Sequence, residues 1–155
     1  QSDVSYASHI KFIILGNKNK DDGKFIYEEV NKTGLQANFL FFDGFVPEED
    51  FYSYVLQCDY IMPLIHPGRG EYSKYVSEKI SGTYNLATAY RKIMLCPKEM
   101  EIYEDFQDSS LFYSLDDMQS FINSLKPMES DAFYQLPKWQ QQEQQKRMKD
   151  FLAKI

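Results

Sequence analysis

The chain has 155 residues, about one domain's worth, with 17 Lys and Arg against 23 Asp and Glu for a net charge of −6. The basic residues are scattered, which argues against a nucleic-acid partner, and no apolar run approaches the roughly 18 residues that cross a bilayer. Cys58 and Cys96 sit at the edges of apolar segments and read as reduced, buried thiols, which points to a cytoplasmic chain.

The chain opens at Gln1 without the charged and apolar regions of a signal peptide, so it reads as a piece of something longer. "HIKFIILG", residues 9–16, is an apolar run ending in Gly and predicts a buried strand. "DDGKFIYEEVNKTG" predicts a helix with Phe25, Ile26 and Val30 near helical spacing and Gly34 as its stop. "ANFLFFDGF", residues 37–45, predicts a second strand closed by Asp43-Gly44. Pro47 and three acids then open a helix, "PEEDFYSYVLQ". "CDYIMPLI", residues 58–65, predicts a third strand with Pro63 near its end.

Residues 66–80 read as a long glycine-bearing loop, a place where function or mobility concentrates. Beyond it, "SGTYNLATAY" predicts a helix over 82–90 and "KIMLC" a strand over 92–96. "PKEMEIYEDF" reads as a short acidic helix or loop and "SSLFYS" as a last strand. "LDDMQSFINSL" predicts an amphipathic helix with Leu115, Met118, Ile122 and Leu125 on one side, stopped by Pro127. A final helix near Trp139 carries few apolar residues, namely Trp139, Met148, Phe151 and Leu152.

Strands alternating with helices predict an α/β fold, Rossmann-like, with a mainly parallel sheet of about five strands, helices on both faces and a C-terminal helix. Ligands of such sheets bind beyond the carboxyl ends of the strands, and the loops there carry glycines: Gly16 after the first strand, Gly44 after the second, Gly68 and Gly70 after the third.

Ser81-Gly82-Thr83 stands at a helix mouth. Backbone N–H groups and the positive end of the helix dipole suit a phosphate there, with Arg69 and Lys79 as cationic partners. The competing reading is a plain N-cap. Glu78 ahead of the same helix is accounted for by the dipole, and His66 lacks a second catalytic partner. Tyr52, Tyr54 and Tyr60 read as packing residues. No spacing of Cys, His and carboxylates builds a metal site, and no P-loop or dinucleotide fingerprint is present. Asp43 alone does not make the acid cluster of a response regulator.

The succession "IKFIILGNKN", "FLFFDGFVPEEDFYSYVLQCDYIMPLI" and "SEKISGTYNLATAYRKIMLCPKE" resembles the C-terminal, donor-nucleotide-binding half of retaining GT-B-fold glycosyltransferases of bacterial polysaccharide assembly. Residues 10–125, about three quarters of the chain, follow the order of that family. The resemblance implies that Ser81, Gly82 and Thr83 meet the donor diphosphate. It implies that Phe45, Val46 and Pro47 form the base wall, with Gly16 in the nucleotide-binding set. Glu78 matches the family glutamate that approaches the transferred sugar. The second glutamate of that signature falls on Leu86, so Asn85 becomes the candidate for the ribose hydroxyls. Pairing Glu71 with Glu78 instead leaves one residue too few between them.

The resemblance also implies that residues 1–126 form the nucleotide-sugar domain, without the family's first strand and helix. Residues 127–155 become a linker and a helix packing back toward an absent N-terminal domain. The implied partners are a nucleotide sugar and that missing domain, with no nucleic acid and no metal cofactor. The fragment alone is expected to be inactive, and the parent chain to sit peripherally at the inner membrane. A non-catalytic interaction module of the same fold is the alternative.

Overall fold

The computed structural model describes residues 5–68, 72–77 and 81–153. In chain order the elements are β1 (Phe12–Asn17), α1 (Asp21–Thr33), β2 (Phe39–Phe42), α2 (Glu48–Gln57), β3 (Tyr60–Ile61), α3 (Tyr72–Ser77), α4 (Gly82–Ala89), β4 (Ile93–Pro97), α5 (Glu104–Gln107), β5 (Ser110–Tyr113), α6 (Met118–Ser124) and α7 (Gln141–Leu152). The fold is α/β and Rossmann-like, with every described strand pairing parallel. The strands form two sheets, β1-β2 and β3-β4-β5, rather than one continuous five-stranded sheet. The chain divides into two compact units, Gln1–Cys58 with Leu115–Lys126, and Asp59–Ser114 with Pro127–Ile155.

In the first unit β1 begins at Phe12 rather than His9 and runs through Gly16, which lies inside the strand instead of stopping it. Phe12 pairs with Phe39 and Ile13 with Leu40. The Phe12 and Phe39 rings stack at 4.6 Å, and Tyr6 meets Phe12 edge-on. These cross-strand aromatic contacts help hold a short parallel pair whose register shifts between Ile13 and Asn17. Buried Asn38 donates its amide to the carbonyls of Ala7 and Ile10, and Asn123 of α6 accepts the Ala7 N–H at 2.8 Å. The segment before β1 is thereby tied to the turn that precedes β2 and to α6.

Two glycines fix α1. Gly23 sits on its first turn, where a Cβ would overlap the carbonyl of Asn17 at the end of β1, so only glycine lets helix and strand approach so closely. Gly34 closes the helix with φ 73°, and its N–H and that of Leu35 both bond to the Val30 carbonyl. Val30 faces the core, whereas Phe25 is exposed, so the buried stripe of α1 is narrower than its sequence spacing suggested.

The second unit is organised on β4, whose five residues are all buried. β4 lies between β3 and β5, with Ile93 opposite Tyr60 and Leu95 opposite Leu111. Tyr84 and Ala87 of α4 join Met94, Cys96 and Met100 in the core. β3 contains only Tyr60 and Ile61, because Pro63, two residues on, has no N–H to continue a ladder. The expected long loop at 66–80 contains α3.

Residues after Pro127 pack on this unit. Buried Tyr134 donates its hydroxyl to the Lys92 carbonyl at 2.8 Å, beside β4. Buried Lys138 pairs with Asp108 at 2.5 Å and donates to the Glu104 carbonyl at 2.8 Å. Trp139 belongs to this anchor, 5.2 Å from the Tyr134 ring and ahead of α7, so it is not part of that helix's apolar face. Leu115 likewise lies outside α6 and is exposed, while Ile122 carries that helix's burial. Among the described residues, no helix is long and apolar enough to cross a membrane.

Gly23→Ala is expected to destabilise the protein by about 2 kcal/mol, because backbone must move to relieve the overlap. Gly34→Ala, with open space at its Cβ, is expected to cost only about 1 kcal/mol of conformational strain. Urea titrations giving equal costs, or a larger one at Gly34, would contradict this account.

A second expectation concerns alkaline pH. Burial raises the Cys96 thiol from its ordinary value near 9 to about 11, and Tyr134 from 10 to about 12. Both groups hold their protons more tightly in the fold than in the unfolded chain. Their stabilising contribution is complete below pH 9 and is lost as pH climbs, between 9 and 11 for the thiol and between 10 and 12 for the phenol. Cys96 alone contributes on the order of 2 kcal/mol to that loss. Cys96→Ala should flatten the fall in urea midpoint between pH 9 and 11; an unchanged slope would remove the thiol from the account.

Candidate functional site

The carboxyl ends of β1 and β2 feed two loops that are laced together. The Lys18 N–H donates to the Phe42 carbonyl at 2.9 Å, the Lys18 ammonium pairs with Asp43 at 2.9 Å, and the Asn19 amide donates to the Asp43 carbonyl at 2.9 Å. The Asn17 side chain accepts the Asn19 N–H, which shapes the turn after β1. Hydrogen bonding to Asp43 raises the Lys18 pKa, and the same contact lowers that of Asp43. Asp43 is therefore engaged in holding the loops. At Asp21 the backbone takes φ 45°, an uncommon conformation for a side chain-bearing residue, and turns the chain from Lys20 into α1.

These loops border an open cleft of about 550 Å³. Leu15, Gly16 and Asn17 of β1 line it with Lys20, and the segment from Gly44 to Tyr52 supplies the remaining walls. Phe45 is 92% exposed beside the cleft, while the next residue, Val46, is 5% exposed and anchors the segment. Phe51 and Tyr52 lie edge to face at 5.4 Å. The structure thus brings together three of the expected nucleotide-binding residues, Gly16, Phe45 and Val46. Pro47 instead serves as the residue before α2 and is not among the cleft's lining residues.

Asn17, Lys20, Glu48 and Phe51 also line the cleft, with no motif in the sequence to mark them, and Tyr52, which reads as a packing residue in the sequence, joins them. Lys20 had a usable signal, because it follows a strand end in a parallel α/β pattern. Glu48 had none, because an acid in the first turn of a helix is sufficiently explained by the dipole.

The other expected residues lie in the second unit. Ser81 is buried at the entry to α4, and its hydroxyl accepts the Thr83 N–H at 3.2 Å. The Ser81 carbonyl accepts from Tyr84 and Asn85. The capping interaction is present, and it occupies the Thr83 N–H that a phosphate would need. Gly82 is exposed, and a Cβ there would meet open space, so the backbone at this turn is approachable. Asn85 is exposed on the same helix and Leu86 is half-buried. Arg69, Glu71, Glu78 and Lys79 lie outside the described residues.

His66 stands after β3, with Nε2 3.4 Å from the hydroxyl of Tyr113 at the end of β5. Tyr113 is buried, and desolvation raises its pKa strongly. Both cysteines are free thiols. Among the described residues no group of His, Cys, Asp and Glu is arranged to hold a metal ion.

In comparisons with known proteins, no family model matches the chain, and neither a curated protein nor a solved structure matches it.

Ser81→Ala should cost about 1 kcal/mol by removing the cap on Thr83. A urea midpoint unchanged from the parent protein would show that the hydroxyl contributes nothing to the start of α4.

Proposed function

We propose that the chain is the donor-binding half of a glycosyltransferase, taking a nucleotide-diphosphate sugar for transfer to a glycan or lipid-linked acceptor. The observation that carries this reading is the cleft at the carboxyl ends of two parallel strands, walled by the Phe45–Val46 segment. Parallel α/β sheets bind ligands at that end, and an exposed aromatic ring beside a cleft offers a stacking surface to a base. The resemblance noted in the sequence assigns the base to this same segment.

In the second unit, taken by itself, the resemblance assigns the diphosphate to the α4 entry. The open approach at Gly82 admits it, and Arg69 and Lys79 supply positive charge. Release of the diphosphate is then eased electrostatically by helix N–H groups and cations. Thr83 offers its N–H only when the Ser81 hydroxyl turns away, so the cap and the phosphate compete for one donor. Glu78 approaches the sugar and Asn85 the ribose. Such a half needs a separate acceptor-binding domain for turnover, and the free thiols suit a cytoplasmic enzyme peripheral to the inner membrane.

Leu86 favours a second reading. A half-buried leucine where relatives of the resembled family place a ribose-binding glutamate would suit a module kept for protein interaction rather than transfer.

Backbone amide NMR during titration with UDP- and GDP-sugars separates the two. The donor reading expects shifts confined to Gly16, Gly44–Val46 and Ser81–Thr83, and expects Gly82→Val to abolish those at the α4 entry in a folded protein. Silence at millimolar ligand would favour the interaction module. Shifts at 81–83 that persist undiminished in Gly82→Val would remove the diphosphate from α4.

A further inference from the structure

Two opposite charges line the same cleft, and neither has an ion-pair partner among the described residues. They are Lys20, in the loop after β1, and Glu48, in the first turn of α2. Elsewhere in the first unit close charges are matched: Lys18 pairs with Asp43, and Lys32 with Glu29. The helix dipole does not require Glu48 in particular, since Glu49 and Asp50 already make the first turn of α2 acidic. The cleft therefore offers a cation, a carboxylate and aromatic residues, Phe45, Phe51 and Tyr52.

We infer that this cleft is selective for guanine, with Glu48 accepting from the base's donor edge and Lys20 meeting its carbonyl oxygen. This rests on the nucleotide-binding reading above and deepens it by naming the base. A carboxylate has two oxygens and, when ionised, no donor, so it is satisfied by two adjacent N–H groups. Guanine presents that pair, N1–H and the 2-amino group, next to the O6 acceptor. Uracil offers a single N3–H flanked by two carbonyls, which would face the carboxylate oxygens with like partial charge. Adenine offers one amino group beside an acceptor nitrogen, and cytosine the same pattern. Only guanine uses both carboxylate oxygens while leaving a carbonyl for an ammonium, and every base supplies a face for the aromatic walls, so the polar pair carries the choice.

The test compares GDP, UDP, ADP and guanosine by amide NMR on the isotope-labelled chain, following Gly44, Val46 and Glu48, with Glu48→Gln and Lys20→Met as variants. Glu48 and Lys20 are exposed, so both variants are expected to retain the parent urea midpoint. The inference expects GDP to bind at least about tenfold more tightly than UDP or ADP. It expects Glu48→Gln to weaken GDP about tenfold without weakening UDP, and Lys20→Met to narrow the preference. UDP or ADP binding as tightly as GDP, or Glu48→Gln leaving GDP unaffected, would overturn guanine selectivity and leave nucleotide binding standing. Guanosine binding as tightly as GDP would keep the base assignment and remove the diphosphate from the donor reading. No shift with any of the four would overturn both.

Discussion

Every layer of the second unit follows from the burial of β4. A parallel strand with all five residues out of water must be covered on both faces and paired on both edges. The edges are met by β3 and β5. Tyr84 and Ala87 of α4 contribute to the cover, together with Met100 beyond the strand's end. The Tyr134 hydroxyl donates to the Lys92 carbonyl just ahead of the strand, and that bond draws in residues that follow α6 by some distance. Lys138 completes the attachment by bringing its ammonium to Asp108 and a main-chain carbonyl. Its partners matter, because a buried ammonium without them would be strongly unfavourable. The core that holds β4 also fixes where α4 begins, since Tyr84 and Ala87 cannot move without opening it. The helix mouth at Ser81 is thus set by packing, whatever it binds.

The first unit achieves rigidity differently. Its two-stranded sheet buries little, and what holds the strand ends in place is main-chain and side-chain bonding between loops. Gly23 lets α1 sit directly on the end of β1, and Lys18 and Asn19 fasten the following turn to the end of β2. An exposed ion pair contributes little to stability by itself. Here it accompanies two hydrogen bonds between the same loops, and together they hold the cleft's two sides at a fixed separation. Val46 extends this logic: its burial anchors the segment, while Phe45 beside it stays exposed.

Much of this arrangement was legible in the sequence, and the failures have physical causes. α1, α2, α4 and β4 fell where periodicity, Pro47, Gly34 and the apolar run placed them, because local signals and tertiary packing agree there. The apolar run predicts eight residues for β3 and the strand has two, since Pro63 removes a donor just as the run continues to look apolar. α3 was hidden in a segment whose glycines, proline and charges resemble a loop. The single sheet became two because sequence alternation reports that strands are parallel and helix-covered but not which edges pair. Of the residues lining the cleft, motif order singles out Gly16, Phe45 and Val46 but not Lys20 or Glu48. Each has an ordinary reason to be a surface charge, and only their placement in one cleft distinguishes them.

The Ser81 cap shows why a motif of this kind resists interpretation from residue types alone. A hydroxyl that bonds the Thr83 N–H stabilises the helix by satisfying a donor that would otherwise be open. An anion arriving at the same turn would satisfy that donor too, and with a full charge opposite the helix dipole. The two uses are linked: whatever free energy the cap contributes to the empty protein is subtracted from binding if the hydroxyl must be displaced. At about 1 kcal/mol, the subtraction is small beside a charge-assisted contact made by a diphosphate. A Ser-Gly-Thr entry can therefore hold the helix start in the absence of ligand and still yield to one, with Gly82 keeping the approach clear of side-chain atoms.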